Sequence, residues 1–143
     1  MNLKTTTKAA IAKYGLSNCV EAAHLCDVEG EGASTIAQYL GLKGANGSIG
    51  TRQADAAINA GREIIGSLKP ILDESGVEVG EGDEVVAKTS RHHEVVKIRG
   101  FMNPRLDREG QPFEIEPSTL VRVTGRDGLL GWYQVKDLCQ VNQ

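Results

Sequence analysis

Aromatic residues are scarce: one Trp, two Phe and three Tyr among 143 residues, or 4%. A core without them is built from aliphatic side chains and alanine, so each aromatic becomes a marker worth placing. Cysteine is limited to Cys19, Cys26 and Cys139, an odd number that gives no full disulfide set. Free thiols in a reducing, cytoplasmic setting are expected. Neither charge sign dominates: 16 basic against 19 acidic residues, net −3. The first 79 residues hold 7 basic and 9 acidic groups, the remainder 9 and 10. A duplex-binding module normally carries a clear cationic excess, so nucleic acid is disfavoured as a partner, with a small local patch left open. No stretch has the apolar length of a spanning helix, and Met1–Lys8 lacks the apolar run of a signal peptide, so no membrane association is expected. Also missing are Gly-x-Ser-x-Gly, a phosphate loop and His-Glu-x-x-His. No catalytic residue, metal ligand or cofactor is assigned.

What is present centres on one stretch near the C-terminus. Val121 and Val123 alternate with Arg122 and Thr124, the period of a half-buried strand. Gly125-Arg126-Asp127-Gly128 follows, and Asp-Gly favours a tight turn because Gly accepts positive φ. Trp132, Tyr133 and Val135 then suit a pleated surface. The Gly-x-x-Gly-Trp-Tyr-x-Val run from Gly128 to Val135 resembles the closing strands of bacterial SH3-like barrels. The resemblance covers this hairpin alone and implies a small β-barrel.

Upstream the pattern is helical. Thr7–Tyr14 forms a short helix stopped by Gly15. Ser17 is expected to cap a second helix that places Cys19, Ala22, Ala23 and Cys26 on one side. A third helix spans Ser34–Leu40, ending at Gly41. Lys43–Gly50 reads as a flexible loop by composition. Thr51 is expected to cap the longest helix, whose narrow stripe of Ala54, Ala57, Ile58, Gly61, Ile65 and Leu68 lets another helix approach closely. Pro70 marks a break or kink, after which Ile71-Leu72 continues the apolar face to Gly76.

The Gly-Glu-rich connector Val77–Asp83 is the expected boundary, beyond which the period becomes two. Strands are expected over Glu84–Lys88, Glu94–Phe101, Pro112–Glu116, Leu120–Thr124 and Leu130–Val135, with turns at Asn103-Pro104, Glu109-Gly110 and Glu116-Pro117. Lys136–Leu138 reads as a short turn, with Val141 closing the edge. The fold class is α+β: an N-terminal helical unit, 1–79, followed by a C-terminal small SH3-like β-barrel, 80–143.

Four constellations bear on function. Ala33–Leu42 resembles the first helix of helix-turn-helix proteins, and Arg52, Gln53, Asn59 and Arg62 on the following helix are candidate nucleic-acid contacts. Asp55 and Glu63 lie among them and oppose that use. Asp27-Val28-Glu29-Gly30-Glu31-Gly32 resembles the opening of an EF-hand calcium loop, but Ser34 and Gln38 occupy the places that need an apolar residue and a bidentate Glu. Cys19, His24 and Cys26 lack a fourth ligand and the tight Cys-x₂₋₄-Cys spacing of zinc sites, so the thiols read as small hydrophobes. His92 and His93 precede a strand and face opposite ways.

The segment Arg99–Arg108 carries Phe101, Met102 and the arginines Arg99, Arg105 and Arg108, types enriched at protein interfaces. With Trp132 and Tyr133 they form the expected partner-binding set: Arg99, Phe101, Arg105, Arg108, Trp132 and Tyr133. The function expected is a non-enzymatic binding or structural component that engages a protein partner through the C-terminal barrel. Two alternatives stand beside it: a helix-turn-helix DNA-binding protein with a barrel accessory domain, and an acidic inhibitor of a nucleic-acid enzyme. Homo-oligomerisation is left open.

Overall fold

Helices come first and strands second, as the change of hydrophobic period implies, so the protein is mixed α+β. The computed structural model describes residues 2–89, 92–102 and 114–141. The chain forms two compact units: Met1–Leu68 with Ser90–Glu94 and Val141–Gln143, and Lys69–Thr89 with Val95–Gln140. The expected boundary at 79/80 lies within the second of these ranges, because the chain becomes extended at Leu68 rather than after Gly76.

The first unit contains α1 (Thr5–Tyr14), α2 (Leu16–Asp27), α3 (Ala33–Leu40) and α4 (Thr51–Gly66). Helices α1, α2 and α3 all pack on α4. Gly15 separates α1 from α2 at φ 89, a left-handed conformation that a Cβ would disfavour. Ser17 and Thr51 lie inside their helices rather than capping them; Gly15 and Gly50 hold the N-cap positions, with no side-chain cap bond.

The buried face of α4 is Ala54, Ala57, Ile58, Ala60, Gly61 and Ile64. Ile64 is fully buried, whereas Ile65, expected in the stripe, is half-buried and Leu68 lies beyond the helix. Both isoleucines fit a helical period. Burial selects Ile64 because it continues the line of Ala57 and Gly61, where α2 comes closest. At Gly61 a Cβ would stand 2.0 Å from the Cys19 carbonyl oxygen, so the small-residue stripe does bring the two backbones together. The segment expected as a flexible loop has regular structure: Lys43 bridges Ile49 around a 3₁₀ turn, Ala45–Gly47.

The strands are β1 (Leu68–Pro70), β2 (Leu72–Asp73), β3 (Gly76–Val77), β4 (Glu84–Lys88), β5 (His93–Met102), β6 (Leu120–Thr124), β7 (Leu130–Gln134) and β8 (Leu138–Val141). Six form one sheet in the order β1-β8-β4-β5-β6-β7, and β2 pairs with β3. Ile71-Leu72 is therefore not a helix continuing past Pro70. Residues 114–116 are not a strand, and 112–113 lie outside the described residues. Val141 does not close an edge, since β8 sits between β1 and β4. The core of the second unit is aliphatic: Ile71, Val85, Ala87, Val96, Ile98, Val121, Val123, Val135 and Leu138, with Phe101 and Tyr133 packed against it. Each such buried Val, Leu or Ile contributes roughly 1.5–3 kcal/mol.

Candidate functional site

The register of β5, β6 and β7 defines two faces. Ile98, Val121 and Val123 point into the core, and Phe101 and Tyr133 follow them inward. The opposite face carries three cross-strand rows: Lys97–Thr124–Leu130, Gly100–Arg122–Trp132 and Met102–Leu120–Gln134. A β-bulge between Ile98 and Gly100 leaves Arg99 unmatched on β6. Its Nε donates to Thr124 Oγ1 at 2.5 Å, which lays the guanidinium along the outer face.

Three large apolar side chains of this face are open to solvent: Leu130 at 58%, Trp132 at 50% and Met102 at 40%, with Leu129 of the turn beside them. A strand that alternates correctly normally sends such residues inward. Here the inward positions of β7 are Gly131 and Tyr133, because Asp127-Gly128 turns the chain so that Thr124 meets Leu130 and Val121 meets Tyr133.

The expected partner-binding residues are thus divided. Trp132 and Arg99 lie on the outer face. Phe101 and Tyr133 are half-buried against the core. Arg105 and Arg108, with the turns at Asn103-Pro104 and Glu109-Gly110, lie outside the described residues. Sequence reasoning missed Lys97, Arg122 and Leu130 as companions of Trp132, while Met102 already figures in the interface-type segment Arg99–Arg108. The signal was available: the turn fixes the pairing of the hairpin, and period two then places Arg122 beside Trp132.

The candidate nucleic-acid residues in the helical unit are arranged less favourably. Arg52 and Asn59 are exposed on α4, but Asp55, also exposed, lies between them on the same face at helical spacing. Gln53 is half-buried, a quarter-turn away. Arg62 is engaged: Nη2 donates to Asp27 Oδ1 at 2.6 Å and Nε to Asp27 Oδ2 at 3.0 Å. Asp27 ends α2, where the helix dipole disfavours a carboxylate, and the guanidinium offsets that. The hydrogen bond from Arg62 holds the Asp27 carboxyl below the usual aspartate range. The same pair occupies the first ligand place of the calcium-loop resemblance. From α3 to α4 the chain runs 41–50, longer than the three or four residues of a helix-turn-helix turn.

A recess of about 320 Å³ in this unit is lined by Glu21, His24, Glu29, Glu31, Thr35 and Tyr39, among others. His24 is buried at 9% exposure; its Nε2 lies 3.1 Å from His92 Nδ1 and 3.4 Å from Glu29 Oε1. Cys19 is fully buried and desolvation pushes its thiol up to about 11, while Cys26 Sγ accepts from Arg62 at 3.5 Å. Among the described residues no group of three or more His, Cys, Asp or Glu is placed to hold a metal ion. Among them, too, no helix is long and apolar enough to cross a membrane.

No protein-family model, curated protein or solved structure matches the chain.

Proposed function

We propose that the protein is a non-enzymatic binding component that engages a protein partner through the outer face of β5, β6 and β7. The observation that carries this reading is the cluster of Trp132, Leu130 and Met102, all exposed on one face of a sheet whose other face is a complete aliphatic core. Isolated exposed hydrophobics are ordinary, but several on one sheet face, with a tryptophan and flanking arginines, have the composition of an interface anchor. The free cysteines Cys19, Cys26 and Cys139 suit a reducing, cytoplasmic setting.

A barrel-like curl of the sheet, in keeping with the SH3-like resemblance of the hairpin, is part of this reading. In the sheet order β7 and β8 stand four places apart, about 19 Å in a flat sheet. They are joined by the 3₁₀ turn Val135–Asp137, three residues that reach at most about 14 Å from strand end to strand end even when extended. A sheet curled toward closure removes that mismatch, and it turns the Trp132 face outward as a convex surface.

The test is comparative recovery of partners by wild type, Trp132→Ser and Tyr39→Ser, with protein and nucleic acid identified in the same eluate. Tyr39 is an exposed aromatic of the helical unit and serves as the control. A protein retained by wild type and Tyr39→Ser but lost by Trp132→Ser is the expected result. Equal recovery by Trp132→Ser overturns the reading, and recovery of nucleic acid alone favours the helix-turn-helix alternative.

A further inference from the structure

We infer that the outer face of β5, β6 and β7 takes an acidic polypeptide segment that also carries aliphatic side chains; this rests on the reading of that face as a protein-docking surface. The nine positions set by the register hold no carboxylate. Two of them, Lys97 and Arg122, are cations, and the bulge adds Arg99, whose guanidinium is held over the same face by Thr124. All three are exposed, and none forms an ion pair among the described residues. The chain as a whole has net charge −3, so this face is opposite in sign to the net charge of the protein. Three like charges in adjacent rows repel one another, and carboxylates brought by a partner relieve that repulsion while the apolar side chains are covered.

The geometry narrows the partner. Successive rows lie about 7 Å apart, the spacing of residues i and i+2 in an extended chain. Carboxylates at that interval meet Lys97 and Arg122 in turn. Gly100 stands on β5 directly opposite Arg122, and apart from its chain neighbours no atom lies within 4 Å of where its Cβ would be. The notch beside Arg122 is therefore open to an incoming side chain. Leu130, Met102 and half-buried Leu120 offer aliphatic surface on either side. Single-stranded nucleic acid also brings negative charge, but it is bound by stacking successive bases on several aromatic rings. This face has one ring, Trp132, among aliphatic neighbours, which favours polypeptide.

Trp132 is the only tryptophan of the chain, so its emission reports this face alone. The intact protein is titrated with three synthetic peptides that share alternating leucines and differ only in carrying Glu, Gln or Lys between them, and with oligothymidylate. The glutamate peptide is expected to shift the emission to shorter wavelength and to bind about tenfold more tightly than the glutamine peptide, a preference weakened by salt. Arg122→Glu abolishes the preference, and Lys97→Glu provides the same test should the first variant fold poorly. Equal binding of the Glu and Gln peptides, or tighter binding of the Lys peptide, overturns the acidic chemistry and leaves the docking face standing. A response to oligothymidylate alone overturns both. No response to any probe overturns the inference, while the docking face itself is then decided by the partner recovery with Trp132→Ser.

Discussion

Gly61 of α4 lies against Cys19 of α2 so closely that a methyl group at Gly61 would stand 2.0 Å from the Cys19 carbonyl oxygen and 2.7 Å from Ala23 Cβ. Alanine is the better helix former by about 1 kcal/mol, so propensity alone predicts a gain on substitution. The overlap is with backbone, which cannot move aside without separating the helices, and it wins. Gly61→Ala is expected to lose roughly 1–3 kcal/mol or to prevent folding of the helical unit. Gly66 provides the control: a Cβ there meets no atom within 4 Å. Urea unfolding of Gly66→Ala should show stability equal to or above wild type. Equal stability of the two variants contradicts the close α2–α4 approach.

The Asp27–Arg62 pair ties the C-terminus of α2 to α4, with both side chains about half exposed. Solvent screening holds its contribution to about 0.2–1 kcal/mol. Because folding lowers the Asp27 carboxyl below its ordinary value, the stabilisation is full above the unfolded aspartate value near 3.9. It is lost as pH falls through the folded one. The stability difference between wild type and Asp27→Asn, followed by chemical denaturation, should be constant near neutrality and vanish in acid. A difference that grows on acidification has the wrong sign for this linkage.

Burial raises the thiols of Cys19 and Cys139, Cys19 to about 11, while Cys26 is half-buried. At mildly alkaline pH a maleimide is expected to label Cys26 first and Cys19 only on unfolding. Mass spectrometry of peptides from the native labelled protein checks the order. Early labelling of Cys19 contradicts its place beneath α4.

Trp132 and Tyr133 are adjacent but serve opposite faces. Trp132→Ala is expected to change stability by less than about 1 kcal/mol, since half of the ring is already solvated. Tyr133→Ala removes a ring packed against Val121 and its neighbours, and should cost about 2–3 kcal/mol. Thermal unfolding of the two variants distinguishes them, and a larger loss for Trp132→Ala inverts the assignment of faces.

Much of this was legible in the chain itself. Glu84–Lys88 and Leu120–Thr124 have the bounds read from the sequence: Val121 and Val123 repeat at two in the second, and the first is a short Val85-Val86-Ala87 run bounded by charged residues. The small-residue stripe of α4 announced a close helix contact. The short strands β1, β2 and β3 were not legible: two or three residues are too few to show a period, and Pro70 reads as a helix break as readily as a strand end. Strand β8 was hidden for a different reason, since its place between β1 and β4 is a long-range pairing that no local pattern records. The site was half legible. Alternation shows that Trp132 and Tyr133 point apart, but which one faces water depends on Val121 and Val123 opposite them.

Hydrogen exchange of the chain, with and without the recovered partner, tests the docking face most directly. Protection on binding is expected in 95–102 and 120–134, with 16–66 unchanged. Protection confined to 16–66 would contradict the account and place the partner on the helical unit.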